Sequence, residues 1–76
     1  MLKKTTILGF TVSYEDNARE GVRYLRDDLD YRETKVFFDQ AKSKGSAEFE
    51  DEYDRQFTLV YQRGLYVLMR RGKFSG

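Results

Sequence analysis

The chain of 76 residues contains no cysteine, no histidine, no proline and no tryptophan. Without cysteine it can form no disulfide, no thiolate metal site and no cysteine nucleophile. Without histidine it has no imidazole base, no Ser-His pair and no histidine metal ligand. Phosphate-binding glycine loops, nucleophile elbows and paired catalytic acids are also missing from the sequence. The sequence therefore identifies no catalytic residue, no metal site and no cofactor.

Long apolar runs are absent as well. The apolar stretch at residues 7–10 is too short for the core of a signal peptide and far too short to span a bilayer. We therefore expect a cytoplasmic protein with no membrane partner. The length predicts one compact domain, residues 1–76. Hydrophobic residues make up 39% of the chain and aromatic residues 16%, which is enough for a core and argues against disorder.

The first half of the chain predicts one strand and two helices. Alternating apolar residues at 5–14 indicate a strand with one buried face. A helix then follows from about residue 14 to Leu29, since Val22, Leu25 and Leu29 recur at helical spacing. Asp30 and Glu33 form the pattern of a capping box, which predicts a second helix at 31–43 that ends at Gly45.

The second half predicts three antiparallel strands. Apolar residues alternate with acidic ones at 47–53, and the strand-like runs at 57–62 and 65–70 are rich in β-branched and aromatic residues, with turns at 51–55 and at Arg63-Gly64. The order βααβββ predicts an α+β fold, an antiparallel sheet of three or four strands with both helices packed on one face. The sequence leaves the partner of the first strand open. The predicted core consists of Leu8, Phe10, Val12, Val22, Leu25, Phe37, Phe38, Phe49, Phe57, Leu59, Val67 and Met69.

The near-neutral net charge of +1 conceals a segregation of charge along the chain. All thirteen acidic residues lie between Glu15 and Asp54, whereas seven of the fourteen basic residues lie outside that range, where no acid accompanies them. The densest acidic segment forms a predicted acidic patch that could present carboxylates to a basic protein. Its members are Glu48, Glu50, Asp51, Glu52 and Asp54.

The last two strands carry the predicted contact surface. If Leu59 and Val67 face the helices, then Val60, Tyr66 and Leu68 face away from them. This outer side is more apolar than a solvated sheet face requires. Arginine and aromatic side chains are also enriched at protein interfaces. The predicted partner-binding residues are Val60, Arg63, Tyr66, Leu68, Arg70 and Arg71. A basic set that could contact nucleic acid overlaps them and consists of Arg55, Arg63, Arg70, Arg71 and Lys73.

The predicted element order resembles that of the RelE/ParE superfamily of bacterial toxins. The segment from Leu29 to Glu33, followed by Val36, Phe37, Phe38 and Asp39, is similar to a segment of its BrnT branch. The resemblance implies a metal-independent ribonuclease in which basic and tyrosine side chains of the sheet hold phosphate and assist attack by an internal 2′-hydroxyl. The residues implied here are Arg55, Arg63, Arg70 and Lys73, with Tyr61 or Tyr66.

Three functions are consistent with these patterns. The first is a small non-enzymatic binding module, a homodimer or a partner of another protein, such as a regulator or inhibitor of a phage or mobile element. The second is the RNA-cleaving toxin implied by the resemblance, or a degenerate relative of it. The third is nucleic-acid binding without chemistry. We favour the binding module because the sequence contains no catalytic motif.

Overall fold

The computed structural model of the protein describes residues 2–71. Its five strands are β1 (Lys3–Ile7), β2 (Phe10–Tyr14), β3 (Ser46–Glu50), β4 (Gln56–Gln62) and β5 (Leu65–Arg70), in the spatial order β1-β2-β5-β4-β3. β2 pairs with β5 in parallel, and the other neighbours are antiparallel. The α+β class is confirmed. The prediction of three or four antiparallel strands is wrong, because the sheet is mixed and has five.

The additional strand arises from a turn that divides the predicted strand at 5–14. Leu8 and Gly9 have φ angles of 54° and 82°, so both residues of the two-residue loop are left-handed. Such turns match the twist of a β-hairpin and join β1 to β2. Leucine rarely adopts positive φ, so the sequence gives little indication of this turn. The element order is therefore ββααβββ.

The first predicted helix is present as three consecutive segments. A 3-10 turn (Asp16–Ala18) leads into α1 (Arg19–Arg23), which continues as a π-helical turn (Tyr24–Asp28). The hydroxyl of Thr34 donates a buried 2.7 Å hydrogen bond to the carbonyl oxygen of Leu25 near the end of this segment. Carbonyls in the last turn of a helix lack intrahelical partners, so this bond satisfies one of them and joins the two helical segments.

The second helix, α2 (Tyr31–Lys44), confirms the predicted capping box. The Glu33 amide donates to Oδ1 of Asp30 over 2.8 Å, and the Asp30 amide donates to Oε1 of Glu33 over 3.2 Å. The helix ends at Gly45, whose φ of 93° is the left-handed conformation that glycine adopts without strain. Local sequence thus determines both ends of α2.

Both helices pack on one side of the sheet, and the core lies between the two layers. Seven predicted core residues are buried there: Val12, Val22, Leu25, Phe38, Phe49, Phe57 and Leu59. Leu8 and Phe37 are partly buried against the core. Phe10 is exposed at its margin and stacks on Phe38, with ring centroids 5.3 Å apart. The prediction missed six further members, Ile7, Ala18, Ala41, Ala47, Tyr66 and Leu68.

The prediction of which β5 residues face the helices is wrong. Tyr66 and Leu68 are buried, whereas Val67 is half-buried and Met69 is exposed on the opposite side. The two-residue turn at Arg63-Gly64 places Leu59 opposite Leu68, and directly opposite residues lie on the same side of a sheet. Placing Leu59 and Val67 on one side implied a register shifted by one residue, which reverses every side chain of a strand.

Gly21 allows α1 to lie directly on the sheet. A Cβ atom at this position would lie 2.8 Å from Cδ1 of Phe57 and 2.9 Å from Cε1. Phe57 is fully buried, so its ring has no free space into which to move. The close approach of α1 to the sheet therefore requires glycine at position 21.

We expect Gly21→Ala to destabilise the protein although alanine favours helix formation. The strain of inserting a methyl group into a packed core, about 1–3 kcal/mol, exceeds the gain in helix propensity of up to about 1 kcal/mol. Chemical denaturation should therefore show a lower free energy of unfolding for Gly21→Ala. In a Phe57→Leu background the same substitution should lower the free energy of unfolding less, because leucine has no ring in contact with the added methyl group. An increase in stability on Gly21→Ala alone would contradict the packing argument.

Candidate functional site

The side of the sheet away from the helices, the outer face, is not covered by any described residue. Its centre is an apolar row formed by Leu65, Val67 and Met69 of β5, with Val60 of β4 beside them. Leu65 is 56% exposed and Met69 is 42% exposed, while Val60 and Val67 are half-buried between neighbouring strands. β5 is the third of five strands, so the apolar row runs through the middle of the face.

Polar and charged residues surround the apolar row. Val67 lies opposite Ser13 of β2 on one side and Val60 of β4 on the other. At the two edges of the sheet, Lys4 lies opposite Ser13 and Ser46 lies opposite Val60. One row further along, Met69 lies opposite Thr58, which lies opposite Glu48. The β1 edge of the outer face therefore carries a lysine, and the β3 edge carries Glu48 and Glu50. The face changes from basic to acidic across the sheet.

Of the six predicted partner-binding residues, the structure places two on the outer face. Val60 belongs to the apolar row, and Arg71 forms an ion pair with Glu48 over 3.6 Å, with its amide bonded to the carbonyl of Gln56. Tyr66 and Leu68 lie instead in the core, and burial raises the pKa of Tyr66 above its ordinary value. Their prediction as contact residues followed from the reversed β5 register.

The other two predicted contact residues are exposed but lie elsewhere. Arg63 is in the turn between β4 and β5, with a φ of 50°. Arg70 ends β5 opposite Phe57, so it lies on the helix side of the sheet. Leu65, Val67, Met69 and Lys4 also lie on the outer face, but they were not among the predicted contact residues. The two-residue turn was the sequence signal that could have identified the three β5 residues, because it fixes the hairpin register.

The basic and tyrosine residues implied by the toxin resemblance are not assembled into one group. Arg63 lies at the opposite end of β4 from Arg55, about 20 Å away for seven residues of strand. Arg70 and Arg71 lie on opposite sides of the sheet because they are consecutive. Lys73 lies outside the described residues. Among the residues that the structure describes, no single phosphate site gathers these side chains.

The predicted acidic patch divides into three parts. Glu48 and Glu50 lie on the outer face of β3, and Glu52 and Asp54 are exposed in the loop that follows. Asp51 is buried. Within residues 2–71 no group of three or more acidic side chains is arranged to hold a metal ion. Four of the five carboxylates therefore stay exposed, and one has a structural role.

Asp51 organises the loop between β3 and β4. Its Oδ1 accepts hydrogen bonds from the amides of Tyr53 (2.9 Å) and Arg55 (3.0 Å), and its Oδ2 accepts one from Nε of Arg55 (2.6 Å). Burial acts to raise the pKa of Asp51, but the hydrogen bonds from Arg55 and Tyr53 outweigh it and lower the pKa below the ordinary 3.8. This loop connects the acidic edge strand to the central hairpin, so Asp51 positions β3.

Comparisons with protein-family models, with curated proteins and with solved structures returned no match. The resemblance to the toxin superfamily therefore stays a prediction. Within residues 2–71 the structure contains no helix long and apolar enough to cross a membrane.

We expect Asp51→Asn to destabilise the protein in a pH-dependent manner. The amide oxygen can still accept from the two backbone amides, but the amide nitrogen cannot accept from Arg55. Loss of this charge-assisted bond should lower the free energy of unfolding by about 1–2 kcal/mol at pH 7. A carboxyl with a lowered folded-state pKa stabilises the protein above pH 4 and loses that effect as the pH falls through the folded pKa.

The measurement is chemical denaturation of wild type and Asp51→Asn at pH 7, 4 and 3. The difference in free energy of unfolding between the two proteins should be largest at pH 7 and decrease below pH 4. The other carboxyls titrate in both proteins, so their contribution cancels in this difference. Asp54→Asn is the control, because Asp54 is exposed and asparagine tolerates its φ of 63°. A difference that stays constant from pH 7 to pH 3 would contradict the assigned ion pair.

Proposed function

We propose that the protein is a small non-enzymatic binding module that contacts a protein partner through the outer face of its sheet. The observation that carries this proposal is the apolar row along β5. A two-layer α+β domain needs only one side of its sheet for the core, and the other side is usually polar. Here the central strand places Leu65, Val67 and Met69 on the uncovered side in contiguous positions, with Leu65 and Met69 exposed and Val67 half-buried. Contiguous exposed apolar surface is typical of interaction sites.

The composition of the outer face favours a protein over a nucleic acid. Sheets that bind single-stranded nucleic acid stack bases on aromatic side chains. The aromatic residues of this sheet belong to the helix side, where Phe49, Phe57 and Tyr66 are buried and Phe10 packs against Phe38. The described outer face carries aliphatic side chains instead, and Glu48 and Glu50 would repel phosphate. An aliphatic centre with a polar border is typical of protein interfaces.

The positions of the basic residues also favour binding over RNA cleavage. A ribonuclease of the type implied by the resemblance needs its phosphate-binding and proton-transferring groups around one bond. Arg55 is held by Asp51, and Arg63 lies at the opposite end of the central hairpin. The phenol of Tyr66 is buried and its pKa is raised, which makes it a poorer acid at neutral pH.

The test compares two lysine substitutions at equally exposed apolar positions. Leu65→Lys places a charge on the outer face, and Val36→Lys places one on the exposed side of α2, where Val36 is 60% exposed. Tagged wild type and both variants are incubated with extracts of the native cells, and retained proteins are quantified by mass spectrometry. We expect wild type to retain a protein partner. Leu65→Lys should retain at least about tenfold less of this partner than wild type, whereas Val36→Lys should retain as much as wild type.

Three outcomes would contradict this function. Equal retention of the same proteins by Leu65→Lys and wild type would exclude the outer face as the contact surface. Cleavage of RNA or ribosomal RNA without added metal, abolished by Arg70→Ala, would replace the binding module with the toxin. Thermal melts followed by circular dichroism verify that all variants are folded. RNA binding whose affinity falls steeply with salt would instead favour the nucleic-acid alternative.

A further inference from the structure

We propose that the partner on the outer face is a second copy of this chain, packed face to face about a twofold axis parallel to β5. This inference rests on the proposed function and names the occupant of the same surface. The resulting dimer is a β-sandwich in which each copy covers the apolar row of the other, with the helices on the two outer sides.

The position of the apolar row suits a symmetric dimer. In an isologous interface, residues on the axis meet their own counterparts. The twofold axis runs parallel to β5 and lies between the two sheets. Because β5 is the middle strand, this axis brings the apolar row of one copy onto that of the other. The aliphatic side chains of Leu65, Val67 and Met69 then pack against each other at the sheet separation of about 10 Å that sandwiches adopt. Polar residues of the neighbouring strands form the border.

The charges at the two edges select the direction of this axis. Rotation about an axis parallel to the strands exchanges left and right, so β1 of one copy lies over β3 of the other. Lys4 then faces the edge that carries Glu48, one row further along the strands, and a long lysine side chain can bridge that offset. Rotation about an axis perpendicular to the strands would place β3 over β3 and bring acidic residues together. Glu48 already contacts Arg71 of its own chain over 3.6 Å, so Lys4 of the second copy would extend this ion pair. Of the two arrangements, only the first brings Lys4 towards a residue of opposite charge.

The size of the outer face predicts a weak dimer. Five strands about 4.8 Å apart and roughly 20 Å long give a face on the order of 500 Å² per copy, or about 1,000 Å² in total. Stable specific interfaces usually bury about 1,200–2,000 Å². We therefore expect dissociation in the micromolar range rather than the nanomolar range.

The experiment is sedimentation equilibrium of the full chain over concentrations from about 1 to 300 µM, which bracket the dissociation constant expected for an interface of this size. Wild type and Val36→Lys should show the same monomer–dimer equilibrium, and Leu65→Lys should raise the dissociation constant about tenfold or more. Persistence of the dimer at 1 M salt is expected, because the apolar row supplies most of the contact.

Charge reversal tests the direction of the axis. Lys4→Glu should weaken the dimer about threefold to tenfold, because the symmetric interface contains the contact twice. The combination of Lys4→Glu with Glu48→Lys should associate more tightly than either single variant, since opposite charges meet again. Comparison with Glu48→Lys alone accounts for the loss of the ion pair between Glu48 and Arg71 of the same chain. Both residues are exposed, so the variants are expected to fold, and circular dichroism verifies this.

Three results would overturn the inference: a monomer at every concentration, a dimer that Leu65→Lys leaves unchanged, or a double reversal that associates no more tightly than the single variants. These results are distinguishable from failure of the proposed function. A monomeric wild type that captures another protein, and loses it on Leu65→Lys, would exclude the second copy as occupant but retain the binding module. A monomer that captures nothing would exclude both.

Discussion

The parallel pairing of β2 with β5 is the interaction on which the rest of the structure depends. It aligns Val12 with Tyr66 and Tyr14 with Leu68, and so joins the N-terminal hairpin to the C-terminal meander in one sheet. Without this pairing β5 would be an edge strand with one neighbour. With it, β5 becomes the central strand, its inner residues are among the most buried in the core, and its outer residues form the middle of the exposed face.

The helical layer then uses only one side of this sheet. Close contact between Gly21 and Phe57 brings α1 onto the centre of the sheet, and the Thr34 hydroxyl joins α2 to the preceding helical segment. The aromatic side chains of the strands face this layer, where Tyr66 lies 4.8 Å from Phe38 of α2 and Phe49 lies 5.4 Å from Phe57 between ring centroids. The described outer face is consequently aliphatic and polar, a composition that fits association with protein surfaces.

The separation of acidic and basic residues along the sequence leads to a separation of charge across the outer face. β1 comes from the N-terminal region without acids, and β3 comes from the acidic middle of the sequence. The strand order places these two strands at opposite edges, so Lys4 and Glu48 lie on opposite sides of the apolar row. The loop beyond β3 contains one buried carboxylate, Asp51, whose bonds to Arg55 hold the acidic edge against the hairpin. Sequence order and topology together give the face its polarity.

Features that depend on nearby residues are encoded in local sequence. The capping box and Gly45 define α2, the helical spacing of Val22 and Leu25 defines the first helical segment, and Arg63-Gly64 defines the hairpin of β4 and β5. That turn also fixed the register of β5, although the alternation of apolar residues on both sides of the strand obscured it. The turn at Leu8 and the parallel pairing of β2 with β5 were decided only by the tertiary structure. Leucine does not favour positive φ, and Ser13 and Val67 pair across more than fifty residues of chain, a contact that no local pattern encodes.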